Sequence, residues 1–335
     1  MKMKKTGLFA LLTAGAVMLS SAGCGTNKAA KKASGDVAIE VGDHKITMAD
    51  ASVFIQSYMG YYDFDTAKKT ALEGIEDVFE REALAKKMNI ELTDEDKDNI
   101  IMQKASLATR GGQTLSEYKK YLESAGSSID FIKDYATASV YANKLQEKMA
   151  GEDEDITATT TEMGEVLKSD YYRAKHILIT EPSEGEDAAA DPESEVVTEE
   201  DGKTGEELAN LVLEKAKKGE NFDEMIKKYN TDPGMAQNPD GYVFTDGAMV
   251  PEFEACVKEL QPGEFGIAKT SYGYHVIQRL PLDGTETDFV TWVEDNKSDL
   301  VYKVLCKKNG IEVKRNQAVI DAYTENELVT PEPVQ

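Results

Sequence analysis

Cysteine and histidine are scarce in this chain, with three of each among 335 residues. Cationic side chains are also few: 38 Lys and Arg stand against 62 Asp and Glu, for a formal charge of −24. A surface of that sign is repelled by phosphate backbones, which argues against nucleic-acid binding, and it keeps the chain dissolved. The longest apolar run, Leu8 to Leu19, is too short to span a bilayer as a mature helix. There is no serine or cysteine nucleophile motif, no closely spaced pair of metal ligands and no convincing internal repeat. Beyond Cys24, the two cysteines are Cys256 and Cys306, both in helix-like stretches. A bridge between them stays open, and two small buried side chains are the plainer reading.

What is present is concentrated in a few strings. Two of the three histidines, His176 and His275, sit inside β-branched, apolar runs: Ala174-Lys175-His176-Ile177-Leu178-Ile179 and Tyr272-Gly273-Tyr274-His275-Val276-Ile277. A buried strand normally puts Val or Leu at such positions, so an imidazole there needs a partner or a task. The third, His44, falls at a hairpin turn and reads as solvated.

The length suggests about two domains. Residues 1–23 read as a targeting segment, with Lys2, Lys4 and Lys5 before the apolar run and Ser21-Ala22-Gly23 before Cys24. This resembles a bacterial lipoprotein signal in which Cys24 becomes the lipidated first residue. Ser21 departs from the larger aliphatic residue usual there, and cleavage nearby with plain secretion is the other reading. Residues 24–36, rich in Ala, Lys, Ser and Gly, read as a flexible tether. Residues 37–165 start with a short hairpin over Val37 to Ile46 and continue as helices, with Thr47 and Asp50 spaced as a capping box. Residues 166–282 change to the order β-α-α-β-α-β-β, which predicts an α+β unit with an antiparallel sheet and packed helices. Residues 283–325 are helical again, with Phe289, Val293, Leu300, Val304 and Leu305 recurring at three and four. One helix cannot bury its own stripe, so this segment is expected to pack on the first helical domain, making the α+β unit an insertion. Residues 326–335 are expected to be a disordered tail.

Four strings in residues 171–281 share an order and spacing: the His176 string, Tyr229-Asn230-Thr231-Asp232-Pro233, Met249-Val250-Pro251-Glu252-Phe253-Glu254, and the His275 string. In this the region resembles the parvulin-type peptidyl-prolyl isomerases, and the flanks resemble the helical chaperone module of PrsA- and SurA-like foldases. The resemblance implies an extracytoplasmic, lipid-anchored foldase acting on X-Pro bonds of unfolded or newly secreted chains, with a possible homodimer. A catalytically weak holdase is the alternative. It implies a central network of His176, His275 and Thr270, with Asp232 at a position where the family carries Cys or Asp.

The residue types suit that chemistry. Rotation about an X-Pro amide breaks its resonance against a barrier of about 18–20 kcal/mol, and no bond is cleaved. A catalyst needs an apolar cradle for the prolyl ring and a few oriented polar groups. Met249 and Phe253, four apart around a helix start, are expected to grip the ring, with Tyr242 and Tyr272 as further walls. Tyr242 replaces a Leu common in the family's pocket. No cofactor or metal is called for, and a zinc site from His176, His275 and Asp232 is the weaker alternative. The stretch Glu181 to Lys203 carries ten carboxylates against one lysine. It reads as a solubilising insert, and its charge argues against a phosphoserine-proline preference.

Overall fold

The computed structural model describes residues 35–109, 114–150, 156–180, 199–283 and 287–329. Residues 1–23, Cys24, most of the tether, most of the acidic insert and the last six residues lie outside the described residues. Among the described residues, no helix is long and apolar enough to cross a membrane.

Compactness divides the chain into two units. The first runs to Ile156 and resumes at Leu305, and the second is Thr157–Val304. The expected boundaries at 165/166 and 282/283 therefore move outward at both ends.

The first unit opens with β1 (Val37–Val41) and β2 (His44–Thr47), an antiparallel hairpin with Val41 opposite His44. Helices α1 (Met48–Tyr58), α2 (Phe64–Lys87), α3 (Asp94–Thr109), α4 (Leu115–Ala125) and α5 (Ile129–Ala150) follow. The Thr47–Asp50 capping box starts α1 as its spacing predicts, and Asp63 caps α2. The apolar stripe of α2, with Leu72, Ile75 and Phe79, meets Phe54 of α1 and Ile132 and Tyr135 of α5 in one core.

The second unit begins with α6 (Thr160–Asp170), β3 (Tyr172–Ile179), α7 (Gly205–Lys217), α8 (Phe222–Tyr229) and α9 (Gly234–Gln237). It continues with β4 (Tyr242–Phe244), α10 (Pro251–Glu259), β5 (Phe265–Thr270), β6 (Gly273–Arg279), α11 (Thr287–Asp295) and α12 (Lys297–Lys308), whose last turn crosses into the first unit. The strands form an antiparallel sheet in the order β4-β3-β6-β5. Alternation along the strands splits its two faces. Ile177, Ile179, Tyr274 and Val276 pack under α7 and α8. Ala174, Ala268 and Ile277 belong to the other face, under Phe253 and Val257 of α10.

The last elements are β7 (Val313–Arg315) and α13 (Gln317–Ala322). Strand β7 pairs with β1, so the first unit's sheet has the order β2-β1-β7, and Ile320 and Tyr323 enter its core. The segment 283–325 is thus divided. Trp292, Val293, Leu300 and Val304 of α11 and α12 pack with Val166, Leu167 and Tyr171 of the second unit instead of the first helical domain. The reason is that α6 has an apolar stripe of its own that needs cover. The tail expectation also fails at its start, because Leu328 packs against the first unit's core. His44 is not a solvated turn residue: its Nε2 lies 2.7 Å from Glu82 Oε2 and its ring lies against Phe79. Cys256 is half-buried in α10 and Cys306 is buried in α12, and the two are not joined by a disulfide.

Candidate functional site

The site is built on the α10 face of the second unit's sheet. In the β3–β6 ladder His176 lies opposite Ile277 and His275 opposite Leu178, so the two imidazoles are diagonal neighbours on one face. Each is 6% exposed. Their ring centroids are 5.0 Å apart with perpendicular planes, an edge-to-face contact. Phe253 of α10 sets its ring edge-on to both, at 5.3 Å from His176 and 5.6 Å from His275.

Each imidazole spends its Nε2 on a different partner. His275 Nε2 lies 2.9 Å from the Thr270 hydroxyl, and His176 Nε2 lies 2.9 Å from Asp232 Oδ2. Asp232 also accepts from the Tyr242 hydroxyl at 3.1 Å through Oδ2, and from the Gly234 N–H at 2.9 Å through Oδ1. One oxygen therefore forms the turn before α9, and the other faces the histidines. Burial opposes ionisation of Asp232, but the Gly234 N–H, His176 and Tyr242 outweigh it and hold the carboxyl below its ordinary value. An ionised carboxylate only accepts, so the His176 hydrogen sits on Nε2. Burial lowers the pKa of His176 against the pull of Asp232. Burial and the neighbouring His176 push His275 down to about 4. Both imidazoles are neutral at pH 7. Burial and Asp232 raise Tyr242 to about 12, so its hydroxyl keeps the proton it donates.

Met249 and Tyr242 are half-buried and pack with Phe253 and Phe244, so the thioether and the two aromatic walls share one cluster. The Tyr242 ring stacks on His176 at 5.8 Å, which fills the wall where the family often carries Leu. Tyr272 is the one predicted residue left outside. It occupies the two-residue turn between β5 and β6 with its side chain 63% exposed, and only its N–H touches the network, donating to Thr270 Oγ1 at 3.1 Å. Among the described residues, no group of three or more His, Cys, Asp or Glu stands close enough to hold a metal ion.

Three further residues hold these groups in place. Asn230 Oδ1 accepts from the Leu178 N–H at 2.8 Å and from the Asp232 N–H at 3.1 Å, which ties the Asp232 turn to the strand that carries His176. Glu254, 7% exposed, accepts from the Met249 N–H at 2.9 Å and the Gly247 N–H at 3.1 Å, folding the Met249 loop back onto α10. A Cβ at Gly234 would push the Tyr242 hydroxyl away from Asp232. The signal for Asn230 was available: it stands two residues before Asp232, the spacing of an Asx turn. Glu254 follows Pro251 within the first turn of a helix, where an acid satisfies orphan amides.

Residues 159–280 match the family model described as PPIC-type PPIASE domain. Foldase protein PrsA of Oceanobacillus iheyensis is 28% identical over 240 residues, covering 70% of this chain and 69% of that protein. Foldase protein PrsA of Bacillus subtilis is 31% identical over 216 residues, covering 60% of this chain and 65% of that protein. The crystal structure of PrsA from Bacillus subtilis aligns at 22% identity and a TM-score of 0.27, covering 86% of this chain and 90% of that one. Residues 159–280 thus belong to the PPIC-type peptidyl-prolyl isomerase domains, set in a chain similar to the PrsA foldases.

Proposed function

We propose that the cluster of Met249, Phe253, Tyr242, His176, His275, Thr270 and Asp232 isomerises X-Pro bonds in unfolded secreted polypeptides. The observation that carries this reading is the joining of an apolar wall, the half-buried Met249 over the buried Phe253, to two neutral imidazoles and one ionised carboxylate. The prolyl ring lies against Met249 and Phe253. Enclosure removes water from the amide, which favours the twisted state because that state has lost the charge separation of amide resonance. Asp232 acts through its field, and the imidazoles hold a rigid, uncharged floor. No covalent step is required. In the first unit, the exposed side chains of Tyr61, Tyr62, Ile101, Met102 and Leu115 offer apolar surface to unfolded clients. Lipidation at Cys24 would hold the chain on the extracytoplasmic face of the cell membrane.

The test is NMR exchange between cis and trans forms of a short prolyl peptide with catalytic amounts of protein. Acceleration that falls at least tenfold in Met249→Ala is expected. A wild-type chain that leaves the exchange rate unchanged while still preventing client aggregation would replace this reading with the holdase.

A further inference from the structure

Tyr242 stands where the family often carries Leu, and the two residues share only part of their chemistry. The ring is half-buried, stacks on His176 at 5.8 Å and packs with Phe253 and Met249, so it walls the site as an apolar residue would. The hydroxyl has no counterpart in leucine. We propose that Tyr242 is a positioning residue for the isomerisation, its hydroxyl orienting the Asp232 carboxylate whose field acts on the twisted amide. The proposal rests on the isomerase reading above.

Four observations carry it. First, the hydroxyl donates to Asp232 Oδ2 at 3.1 Å, the same oxygen that lies 2.9 Å from His176 Nε2. The oxygen that faces the histidines is thus held from two sides. Second, the hydroxyl is itself held. Its oxygen accepts from the Asn238 side-chain amide, whose Nδ2 also donates to the Gly234 carbonyl at 2.9 Å. The bonds run in one direction, Asn238 to Tyr242 to Asp232, and start on the backbone of α9. Third, the donors on Asp232 are the Gly234 N–H, the Tyr242 hydroxyl and the neutral His176. Uncharged donors fix a carboxylate without cancelling its charge, which is what a group acting through its field requires. Fourth, the space that the hydroxyl occupies is kept by the absence of a side chain at Gly234. Tyr242 and Gly234 are therefore a matched pair, one supplying the donor and the other its room.

Two variants break the Tyr242–Asp232 bond in different ways. Tyr242→Phe keeps the stacked ring and removes the hydroxyl, whereas Gly234→Ala keeps the hydroxyl and displaces it. The test uses the full chain, with turnover of a short prolyl peptide read by NMR exchange and the His176 Nε2–H resonance read by proton–nitrogen NMR. Each variant should lower kcat about three- to tenfold and leave KM within about twofold, because the apolar walls stay in place. The His176 resonance should move in both, since the oxygen it shares has lost its other donor. In the Asp232→Asn background, Tyr242→Phe should cost little further, as expected of a residue that works through Asp232. An unchanged kcat in Tyr242→Phe would overturn the proposal. So would a full, multiplied loss in the Asp232→Asn background, or a His176 resonance that does not move. A wild-type chain without turnover removes the isomerase reading and this one with it, whereas turnover undiminished in both variants removes this one alone.

Discussion

Two histidine–carboxylate pairs, one in each unit, are nearly the same length and serve different ends. In the first unit, His44 meets Glu82 at 2.7 Å, and Glu82 is the dry partner at 2% side-chain exposure, with Lys86 on its other oxygen. In the second, His176 meets Asp232 at 2.9 Å, and the order is reversed: the imidazole is 8% exposed and the carboxylate 24%. A buried carboxylate between an imidazole and an ammonium group is a brace that pins the β1–β2 hairpin to α2. A half-open carboxylate backed by a dry imidazole presents its field outward, to whatever enters. Which partner is dry separates the brace from the site.

The comparison is broken most forcefully at the phenylalanine behind each pair. Phe79→Ala and Phe253→Ala should each cost about 3–5 kcal/mol in denaturant unfolding, since both rings are buried. Where both variants remain folded, Phe253→Ala should abolish turnover and Phe79→Ala should leave kcat/KM unchanged. Equal losses of activity would show that the first unit is part of the chemistry.

Acid is the next lever. With His275 held at about 4 and His176 also lowered, the unfolded chain, whose histidines titrate near 6.5, takes up protons first as pH falls. This contribution to stability is complete above about pH 6.5 and is lost on the way down through pH 4. For His275 it is on the order of 3 kcal/mol. Unfolding midpoints of the second unit between pH 7 and pH 4 should follow that slope, while turnover stays flat from about pH 6.5 to 9. A second unit whose stability is indifferent to this pH window would mean that the imidazoles are not held neutral.

Exchanging each carboxylate for its amide sharpens the contrast. Glu82→Gln should lower the first unit's stability by about 1–3 kcal/mol and spare activity, because it disturbs a buried charge network. Asp232→Asn should lower kcat/KM roughly tenfold with a smaller effect on unfolding, its side chain being half-open. The smallest effect belongs to Glu254→Gln. It should cost about 1 kcal/mol and raise KM a few-fold with little change in kcat, since the Met249 loop is loosened while the imidazoles stay in place.

Local signals were read well. Helices α8 and α10 have the bounds their patterns predict, Phe222 to Tyr229 and Pro251 to Glu259, because caps, proline and apolar spacing act within a few residues. The four strings in residues 171–281 hold His176, Asp232, Met249, Phe253 and His275, which the fold brings together with Thr270 and Tyr242 from outside them. The misses have partners far away in the chain. His44 reads as a turn residue until Glu82, 38 positions on, is folded beside it. Strand β7 has three residues and no periodicity of its own, so only its pairing with β1 identifies it. The division of 283–325 was hidden because apolar residues at three and four reveal a buried face without saying which core buries it. Tyr272 stands apart from the cluster for the opposite reason: its neighbours in the His275 string point inward, and a two-residue turn sends its ring out.

The order β2-β1-β7 ties Val37–Val41 to Val313–Arg315. During synthesis, the first unit's opening hairpin must therefore wait through some 270 residues for its third strand, a closure of high contact order. The contiguous unit Thr157–Val304 is under no such delay. The half of the molecule assigned to proline chemistry is in hand first, and a chain halted before Val313 leaves β1 with an unzipped flank while every strand of the other sheet has already emerged.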